Sequence, residues 1–158
     1  MLDWLEQPRL LVAVLENMQD GFSVIDPENN QVFVNGAFCR MTGFSKEELL
    51  GQRPPYPYWP EEQLQAILTS FEAALTGERR SYELIFKRKD GERFPCIVSP
   101  SKLCAEDGSV LAYFATIKDI TERKQLERAL SSSEQRWRSI AQNPLDYVVV
   151  IDRDYRFT

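Results

Sequence analysis

The stretch from residue 110 to residue 130, VLAYFATIKDITERKQLERAL, joins a predicted strand directly to a predicted helix. Its first half is rich in β-branched and aromatic residues and contains neither glycine nor proline, which favours a strand. Its second half consists of strong helix formers. Asp119 is a candidate N-cap, Glu122 completes a capping-box pattern, and Thr121 is a second candidate cap. A joint this short can carry a change in the sheet to the helix, so we expect the rest of the chain to produce or sense that change.

Composition limits the class of protein. The 158 residues suit one domain with a fragment of another, and a hydrophobic fraction of 43% is sufficient for a packed core. The formal net charge of −5 argues against a general nucleic-acid-binding protein, which normally carries a basic patch. No apolar run reaches the roughly 20 residues of a membrane span, and the first residues do not resemble a signal peptide. We therefore expect a cytoplasmic domain with no membrane span of its own.

Cysteine and histidine usage limits the available chemistry. The three cysteines, Cys39, Cys96 and Cys104, form no C-x-x-C motif, which is typical of a reducing cytosol, and small buried side chains are expected for them. The absence of histidine excludes histidine-based catalysis, histidine metal sites and histidine-ligated haem within these residues. No catalytic motif is present either, so we expect neither an enzyme activity nor a metal site.

Hydrophobic periodicity and turn residues predict an α+β fold, with a five-stranded antiparallel sheet and helices over one face. The predicted order is a helix, a hairpin, two short helices, a proline-rich loop, a longer helix, three strands and a final helix. The corresponding ranges are 5–18, 20–35, 35–51, 53–60, 60–76, 80–88, 93–104, 110–118 and 121–140.

Local signals support this order. Asn35 is predicted to cap the first short helix, and Ser45 with Glu48 forms a capping box for the second. The loop at residues 53–60, RPPYPYWP, contains four prolines and therefore cannot form a helix or a central strand. Its three aromatic side chains are predicted to form a lid over the helices and the pocket.

Both terminal helices carry apolar stripes. The stripe of the first helix consists of Leu10, Leu11, Val14, Leu15 and Met18. Through it the helix is expected either to form a dimer or to cover the sheet as a flap. In the last helix the stripe is a weak coiled-coil seam of Leu126, Ala129, Leu130, Ser133, Trp137 and Ile140. A homodimer through these two helices is the expected assembly.

The end of the chain repeats part of its beginning. Residues 143–152, NPLDYVVVID, align without a gap with residues 17–26, NMQDGFSVID, and share the Asn, the Asp and the Val-Ile-Asp triplet. The repeat indicates a tandem array in which a second domain begins near residue 142.

The pattern N-x-A-F-x-x-M-T-G-F-S-x-E-E-L-x-G at residues 35–51 and the sequence D-I-T-E-R at residues 119–123 closely resemble PAS domains, the sensory modules of bacterial signalling proteins. The resemblance covers roughly residues 15–123, and the predicted element order is that of the PAS fold. It implies an N-terminal helix at 1–18, a sensory domain at 19–120, a helical linker at 121–141 and the start of a second PAS domain at 142–158. It also implies an output domain in the same chain, such as a histidine kinase or a cyclic-dinucleotide enzyme.

The resemblance further implies a pocket between the sheet and the helices. Its inward-facing positions are Ser23, Ile25, Phe38, Leu84, Phe86, Cys96, Val98, Tyr113, Ala115 and Ile117. The alternative for this set is core packing without a ligand, because a binding pocket needs polar groups to fix its ligand. Signal relay is implied for Asp119, Thr121 and Arg123, with Asp119 and Arg123 as a pair on one helix face that fixes the exit angle.

Known cofactors of the family do not suit the sequence. Arg53 and Pro54 stand where the light-sensing LOV branch has an Asn and its adduct-forming cysteine. The three amides that hold the flavin ring in that branch are replaced by Phe86, Cys96 and Ile117, which cannot make the same directional hydrogen bonds. Neither a LOV-type flavin nor a histidine-ligated haem is expected, and the cofactor, where there is one, is unknown.

Three functions remain open from the sequence. The first is a sensory and dimerisation module that relays ligand, redox or partner state to an output domain. The second is a binding domain for a small apolar molecule or an unusual cofactor. The third is a thiol redox sensor at Cys39, Cys96 or Cys104, which requires an exposed thiol with a lowered pKa and finds support only in the nearby Lys102.

Overall fold

A computed structural model describes residues 8–78 and 80–141 of the chain. The elements in order are α1 (Pro8–Glu16), β1 (Gly21–Ile25), β2 (Gln31–Val34), α2 (Gly36–Thr42), α3 (Lys46–Leu49), α4 (Leu64–Leu75), β3 (Tyr82–Lys87), β4 (Arg93–Cys104), β5 (Val110–Asp119) and α5 (Thr121–Ala141). The predicted α+β order is confirmed. Residues 5–7 of the predicted first helix and the predicted start of a second domain at 142–158 lie outside the described residues.

The sheet places the last strand at its centre. The strand order is β2-β1-β5-β4-β3, and every neighbouring pair is antiparallel. Because β5 pairs with both β1 and β4, it connects the N-terminal hairpin to the C-terminal meander. The core contains buried side chains from the sheet and from α2, α3 and α4, including Phe38, Leu49 and Ile67. The core therefore packs against the central strand, which contributes Ile117 to it.

The helix ends follow the predicted caps. The Asn35 side chain accepts a hydrogen bond from the Phe38 N–H and so begins α2, which ends at Gly43 in the left-handed conformation with φ 76°. Ser45 and Glu48 form the complete capping box that begins α3. The fourth helix differs from the prediction. Pro60 has the extended angles φ −73° and ψ 142°, so a short 3-10 turn comes between it and α4.

Two strand boundaries also differ from the prediction. β3 is shorter than residues 80–88 because its ladder with β4 begins at the pair Tyr82 and Val98. β5 extends to Asp119, which pairs with Cys96, and the Ile120 N–H then donates to the Pro95 carbonyl at 3.0 Å. Asp119 is therefore a strand residue. The capping-box pattern predicted it at the N-cap position of α5, and that prediction was wrong.

The first helix leaves part of its apolar stripe exposed. None of the residues of α1 is buried: Leu11 and Val14 are 49% and 54% exposed, and Leu10, Leu15 and Met18 are partly buried. A flap over the sheet would bury the whole stripe, so the exposed residues do not fit the flap alternative. The helix is anchored instead at its C-terminal end, where the Leu15 carbonyl accepts from the Asn35 amide at 2.9 Å and Glu16 pairs with Lys46.

The chain divides into two compact units, one up to Thr121 and one from Glu122 onward. In the second unit, the apolar side chains of α5 stand out: Leu126, Leu130 and Trp137 are 65%, 63% and 66% exposed. Among the described residues, no helix combines the length and apolar character that crossing a membrane demands.

Candidate functional site

A cavity of about 90 Å3 lies between the inner face of the sheet, α4 and the proline-rich loop. All of the predicted pocket residues except Cys96 line it: Ser23, Ile25, Phe38, Leu84, Phe86, Val98, Tyr113, Ala115 and Ile117. Cys96 is fully buried in the core beside Phe94, whereas Val98 and Pro100, farther along the same strand, form the wall. Cys96 thus faces inward, as predicted, but it does not line the cavity.

The rest of the wall consists of the three loop aromatics that were predicted as a lid and of residues that the sequence did not assign to the pocket. These residues come from the proline-rich loop, from α4 and from the outer ends of the strands: Tyr56, Tyr58, Trp59, Ile67, Ser70, Phe71, Ala74, Leu75, Tyr82, Pro100, Ser101 and Phe114. The apolar stripe of α4 was visible in its periodicity. Nothing in the sequence distinguished small residues such as Ser70 and Ala74 as wall positions.

The aromatic residues of the loop are core residues as well as a lid. Tyr56, Tyr58 and Trp59 are all buried, after a cis peptide bond between Pro54 and Pro55. The Tyr58 ring packs edge-on against Phe38 with centroids 5.0 Å apart and also lies 5.2 Å from Phe86. Such pairs favour edge-to-face or tilted geometries, so they hold the loop in a defined position over the cavity.

A buried polar side chain, Gln31, contacts two residues of the cavity wall. The Gln31 amide Nε2 donates to Ser23 Oγ at 2.9 Å and, more weakly, to the Tyr58 hydroxyl at 3.4 Å. Gln31 is only 1% exposed, and its Oε1 has no partner among the described residues. Burial raises the pKa of Tyr58 well above its usual value, so the phenol stays protonated.

The cavity wall is uncharged and does not fit a flavin. None of its residues is Lys, Arg, Asp or Glu, so nothing in it would bind a phosphate group. Phe86 and Ile117 line the cavity and carry no amide. A cavity of about 150 Å3 holds a single benzene ring, so about 90 Å3 is too small for a three-ring system.

A cluster of charged side chains around Arg88 lies at the end of β5. Arg88 Nη2 donates to Asp119 Oδ2 at 2.9 Å, and Arg88 Nε donates to Glu92 at 2.9 Å. The same guanidinium donates to the Met41 carbonyl in α2 and lies 4.1 Å from the Phe94 ring centre. Arg88 therefore connects the end of α2 with the end of β5.

The other oxygen of Asp119 holds the start of α5. Asp119 Oδ1 accepts from the Thr121 N–H at 2.8 Å and from the Thr121 hydroxyl. Partial burial raises the pKa of Asp119, but the Thr121 bonds and Arg88 outweigh it, so that pKa lies below its usual value. We call Asp119, Ile120 and Thr121 the exit joint.

The structure gives Asp119 a different basic partner from the predicted one. Its carboxylate pairs with Arg88, whereas Arg123 forms an ion pair with Glu127 at 3.4 Å, one turn farther along α5. The predicted Asp119–Arg123 pair assumed that both residues belong to one helix. Because Asp119 is the last residue of β5, helical spacing does not apply to it.

The thiols lie in three different environments, and all three are free. Cys96 is buried, Cys39 is partly buried, and burial raises the pKa of both thiols. Cys104 is exposed at the end of β4, beyond the helices that cover the sheet, so the prediction of a buried side chain was wrong for it. A raised pKa opposes thiolate reactivity, which disfavours Cys39 and Cys96 as redox sensors.

Comparison with known proteins identifies the family. The sequence profile of the PAS domain matches residues 19–122. The C4-dicarboxylate transport sensor protein DctS of Rhodobacter capsulatus is 28% identical over 125 residues, which cover 78% of this chain and 19% of that protein. A blue-light-activated histidine kinase of Rhizobium johnstonii is 33% identical over 111 residues, which cover 70% of this chain and 32% of the kinase.

A solved structure agrees with these relatives. An RNA-binding light-oxygen-voltage receptor is 25% identical and superimposes with a TM-score of 0.63, over 82% of this chain and 38% of that one. The chain thus spans less than a third of the length of DctS and about a third of the kinase. The five-stranded sheet, the helices over it and the matching profile lead to one assignment: the chain belongs to the PAS domain family.

Proposed function

We propose that this PAS domain is a sensory and dimerisation module that relays the state of its cavity through the exit joint to an output domain in a longer signalling protein. The family and the histidine kinase among its relatives support an output of the kinase type, and a cyclic-dinucleotide enzyme is the alternative. We also propose a cytoplasmic location, with the domain at 19–120, a linker at 121–141 and a second PAS domain from 142.

The proposed relay rests on the position of Arg88. Phe38 lines the cavity from α2, and its carbonyl accepts from the Thr42 hydroxyl at 2.8 Å within the same short helix. Arg88 binds the neighbouring Met41 carbonyl and the Asp119 carboxylate, which in turn holds Thr121. A displacement of α2 would therefore be passed to the residue that begins α5.

The experiment that tests the relay uses a filled cavity as its stimulus. Ala74→Leu adds bulk to the α4 wall, and the response is read by NMR as shifts of the Ile120 and Thr121 backbone amides. We expect these shifts to be at least halved when Arg88→Met is added. Arg93→Met is the matched control because Arg93 makes an exposed pair with Glu62. Amide shifts that persist unchanged with Arg88→Met would contradict the relay.

The exposed apolar stripes support the dimer. The described part of the chain leaves about half or more of each of these side chains exposed, and a second copy would bury them: Leu11, Val14, Leu126, Leu130 and Trp137. We expect the chain to sediment as a dimer and the double variant Leu126→Lys with Leu130→Lys to sediment as a monomer. Leu103→Lys, at a similarly exposed site on β4, is the control. Sedimentation of that double variant as a dimer would contradict an interface through α5.

Binding of a small molecule is the second candidate function, and the cavity with its buried polar group favours it. The C4-dicarboxylate in the name of DctS is not proposed for this chain, since no basic side chain lines the cavity. A thiol sensor finds less support, because burial raises the pKa of the Cys39 and Cys96 thiols.

A further inference from the structure

We propose that the cavity binds a compact, uncharged molecule with one hydrogen-bond-accepting oxygen, such as a short-chain ketone, which the hydroxyl pair of Tyr58 and Ser23 holds by donating to that oxygen. This inference rests on the proposed function, because it names the class of molecule that the domain senses.

The charge of the ligand follows from the side chains that line the cavity. The wall contains hydroxyl groups and apolar groups but no ionised side chain. A buried ion without a partner of opposite charge is strongly disfavoured, so both carboxylates and amines are excluded from this site. Burial also keeps the Tyr58 phenol protonated, so the site does not supply a charge of its own.

The polar group of the ligand follows from the hydrogen bonds of Ser23 and Tyr58. Both residues are buried, both hydroxyl oxygens accept from the Gln31 amide, and Ser23 also forms a hydrogen bond with Tyr58. Two hydroxyls that are bonded to each other use one of their two protons for that bond, so the other proton is left to donate. A carbonyl oxygen can accept from this remaining proton, which would satisfy a buried donor.

The size of the ligand follows from the volume. The cavity measures about 90 Å3, and a benzene ring with six non-hydrogen atoms occupies an engineered cavity of about 150 Å3. The ligand therefore has about five non-hydrogen atoms or fewer. The remaining wall is aromatic and aliphatic, with Phe38, Phe86 and Ile117 among its members, so the body of the molecule is hydrocarbon.

Three probe molecules of about five non-hydrogen atoms each test the requirements for zero charge and for an acceptor separately. Butanone is neutral and has an acceptor, isopentane is neutral and lacks one, and propionate has acceptors but carries a charge. Each is titrated into the isotope-labelled full chain and followed through the Trp59 indole and the Ser23 and Ala115 amides. We expect saturable binding of butanone, weaker binding of isopentane and no saturation with propionate. Propionate binding as tightly as butanone, or isopentane binding equally well, would overturn the inference.

Variants identify the donors. Tyr58→Phe should weaken butanone binding by about three- to tenfold, the usual effect of one neutral hydrogen bond, and leave isopentane binding unchanged. Tyr56→Phe is the matched control, because that hydroxyl lines the same cavity but already donates to the Asn29 carbonyl at 2.8 Å. Ala115→Leu should fill the cavity and abolish binding of both neutral probes. Equal effects of Tyr58→Phe and Tyr56→Phe on butanone would refute the assigned donors.

The same titration separates this inference from the relay. If butanone shifts the cavity signals but not those of Ile120 and Thr121, the ligand class is supported and the relay fails. If changes at the cavity reach Thr121 in the Ala74→Leu experiment while butanone does not bind, the relay is supported and the ligand class fails.

Discussion

Arg88 and Asp119 form an ion pair with 2.9 Å between Nη2 and Oδ2, although 31 residues separate them in the sequence. The pair lies at the end of the central strand, and its side chains are 21% and 27% exposed. It is therefore better shielded from solvent than an exposed ion pair such as Lys89 with Glu48, whose side chains are 52% and 41% exposed. Through Arg88, which also binds the Met41 carbonyl, the pair connects the end of α2 with the end of β5.

The energy of this pair can be measured by a double-mutant cycle. We expect Arg88→Met and Asp119→Asn to show a coupling free energy of about 1 kcal/mol, the upper part of the range for partly exposed pairs. Glu127→Gln, which breaks an exposed pair on α5, should change the free energy of unfolding by less than about 0.5 kcal/mol. Urea denaturation of the four proteins measures the coupling. A coupling near zero would mean that Arg88 and Asp119 act independently.

The pH dependence of Asp119 gives a second test. Its pKa is lower in the folded than in the unfolded protein, so its ionised form stabilises the fold above the unfolded pKa of about 4. That stabilisation is lost as the pH falls through the lower, folded pKa. The difference in unfolding free energy between the unmodified protein and Asp119→Asn should therefore be largest near pH 7 and decrease below about pH 4. A difference that stays constant over this range would exclude a titrating Asp119.

Local signals in the sequence predicted most of the fold. The capping box at Ser45 and Glu48 and the cap at Asn35 depend on residues three positions apart, which a single sequence displays directly. The full range of β4 was predicted as well, because a turn of the Asp-Gly type follows it and another precedes it. These elements determine the order of strands and helices, and hence the family.

The features that the sequence did not reveal depend on distant contacts. Arg88 could not be assigned to Asp119 from spacing, because the two meet only after β3, β4 and β5 have formed the sheet. Whether an inward-facing residue lines the cavity depends on how deep in the core its side chain lies. Cys96 and Val98 both face inward on β4, yet only Val98 reaches the cavity. Periodicity specifies the face of a strand but not the depth of the core above it.

Asn35 is predicted to be the most sensitive polar residue of the domain. It is fully buried, its Oδ1 accepts from the Phe22 and Phe38 amides, and its Nδ2 donates to the Leu15 and Asp20 carbonyls. Asn35→Ala should destabilise the protein by about 2–4 kcal/mol, because a helix cap is lost and buried groups are left unpaired. Thermal or urea denaturation measures the loss.

Asn17→Ala is the control for this effect. Its side chain makes one exposed hydrogen bond to the Ala13 carbonyl, so we expect a change below about 0.5 kcal/mol. Hydrogen exchange should also show that Asn35→Ala releases the end of α1, which the Asn35 amide holds at Leu15. Equal stabilities of the two variants would show that the Asn35 network contributes little.

The cysteines are predicted to react with a thiol reagent in a fixed order. Cys104 is exposed, Cys39 is partly buried and Cys96 is buried, and burial raises the pKa of the last two. In the native protein Cys104 should react first and Cys96 only after unfolding, as mass spectrometry of the labelled peptides would show. Rapid labelling of Cys96 in the native state would reveal an opening of the core and would revive it as a sensor.

Gly21 is predicted to be intolerant of any side chain because of Phe38. A Cβ at Gly21 would lie 2.9 Å from Phe38 Cδ2 and 3.3 Å from the Ile117 carbonyl oxygen. Gly21→Ala should therefore cost about 1–3 kcal/mol in unfolding free energy, the usual penalty of overpacking a core. Because Phe38 also lines the cavity, displacement of its ring should change the cavity as well. Urea denaturation and the affinity for butanone measure the two effects.

Two further variants show whether the clash with Phe38 is the cause. Phe38→Val has no δ carbons and so removes the clashing Cδ2, which means that its own cost should be smaller in the Gly21→Ala background than in the unmodified protein. Gly36→Ala is the control. Its Cβ would meet the ends of two flexible side chains, Arg40 Nη1 at 3.2 Å and Glu16 Oε2 at 3.5 Å, and alanine favours the helix that begins there. We expect Gly36→Ala to be neutral or slightly stabilising. If Phe38→Val costs the same in both backgrounds, the penalty at Gly21 arises from the backbone of Ile117 and Phe38 and not from the ring that borders the cavity.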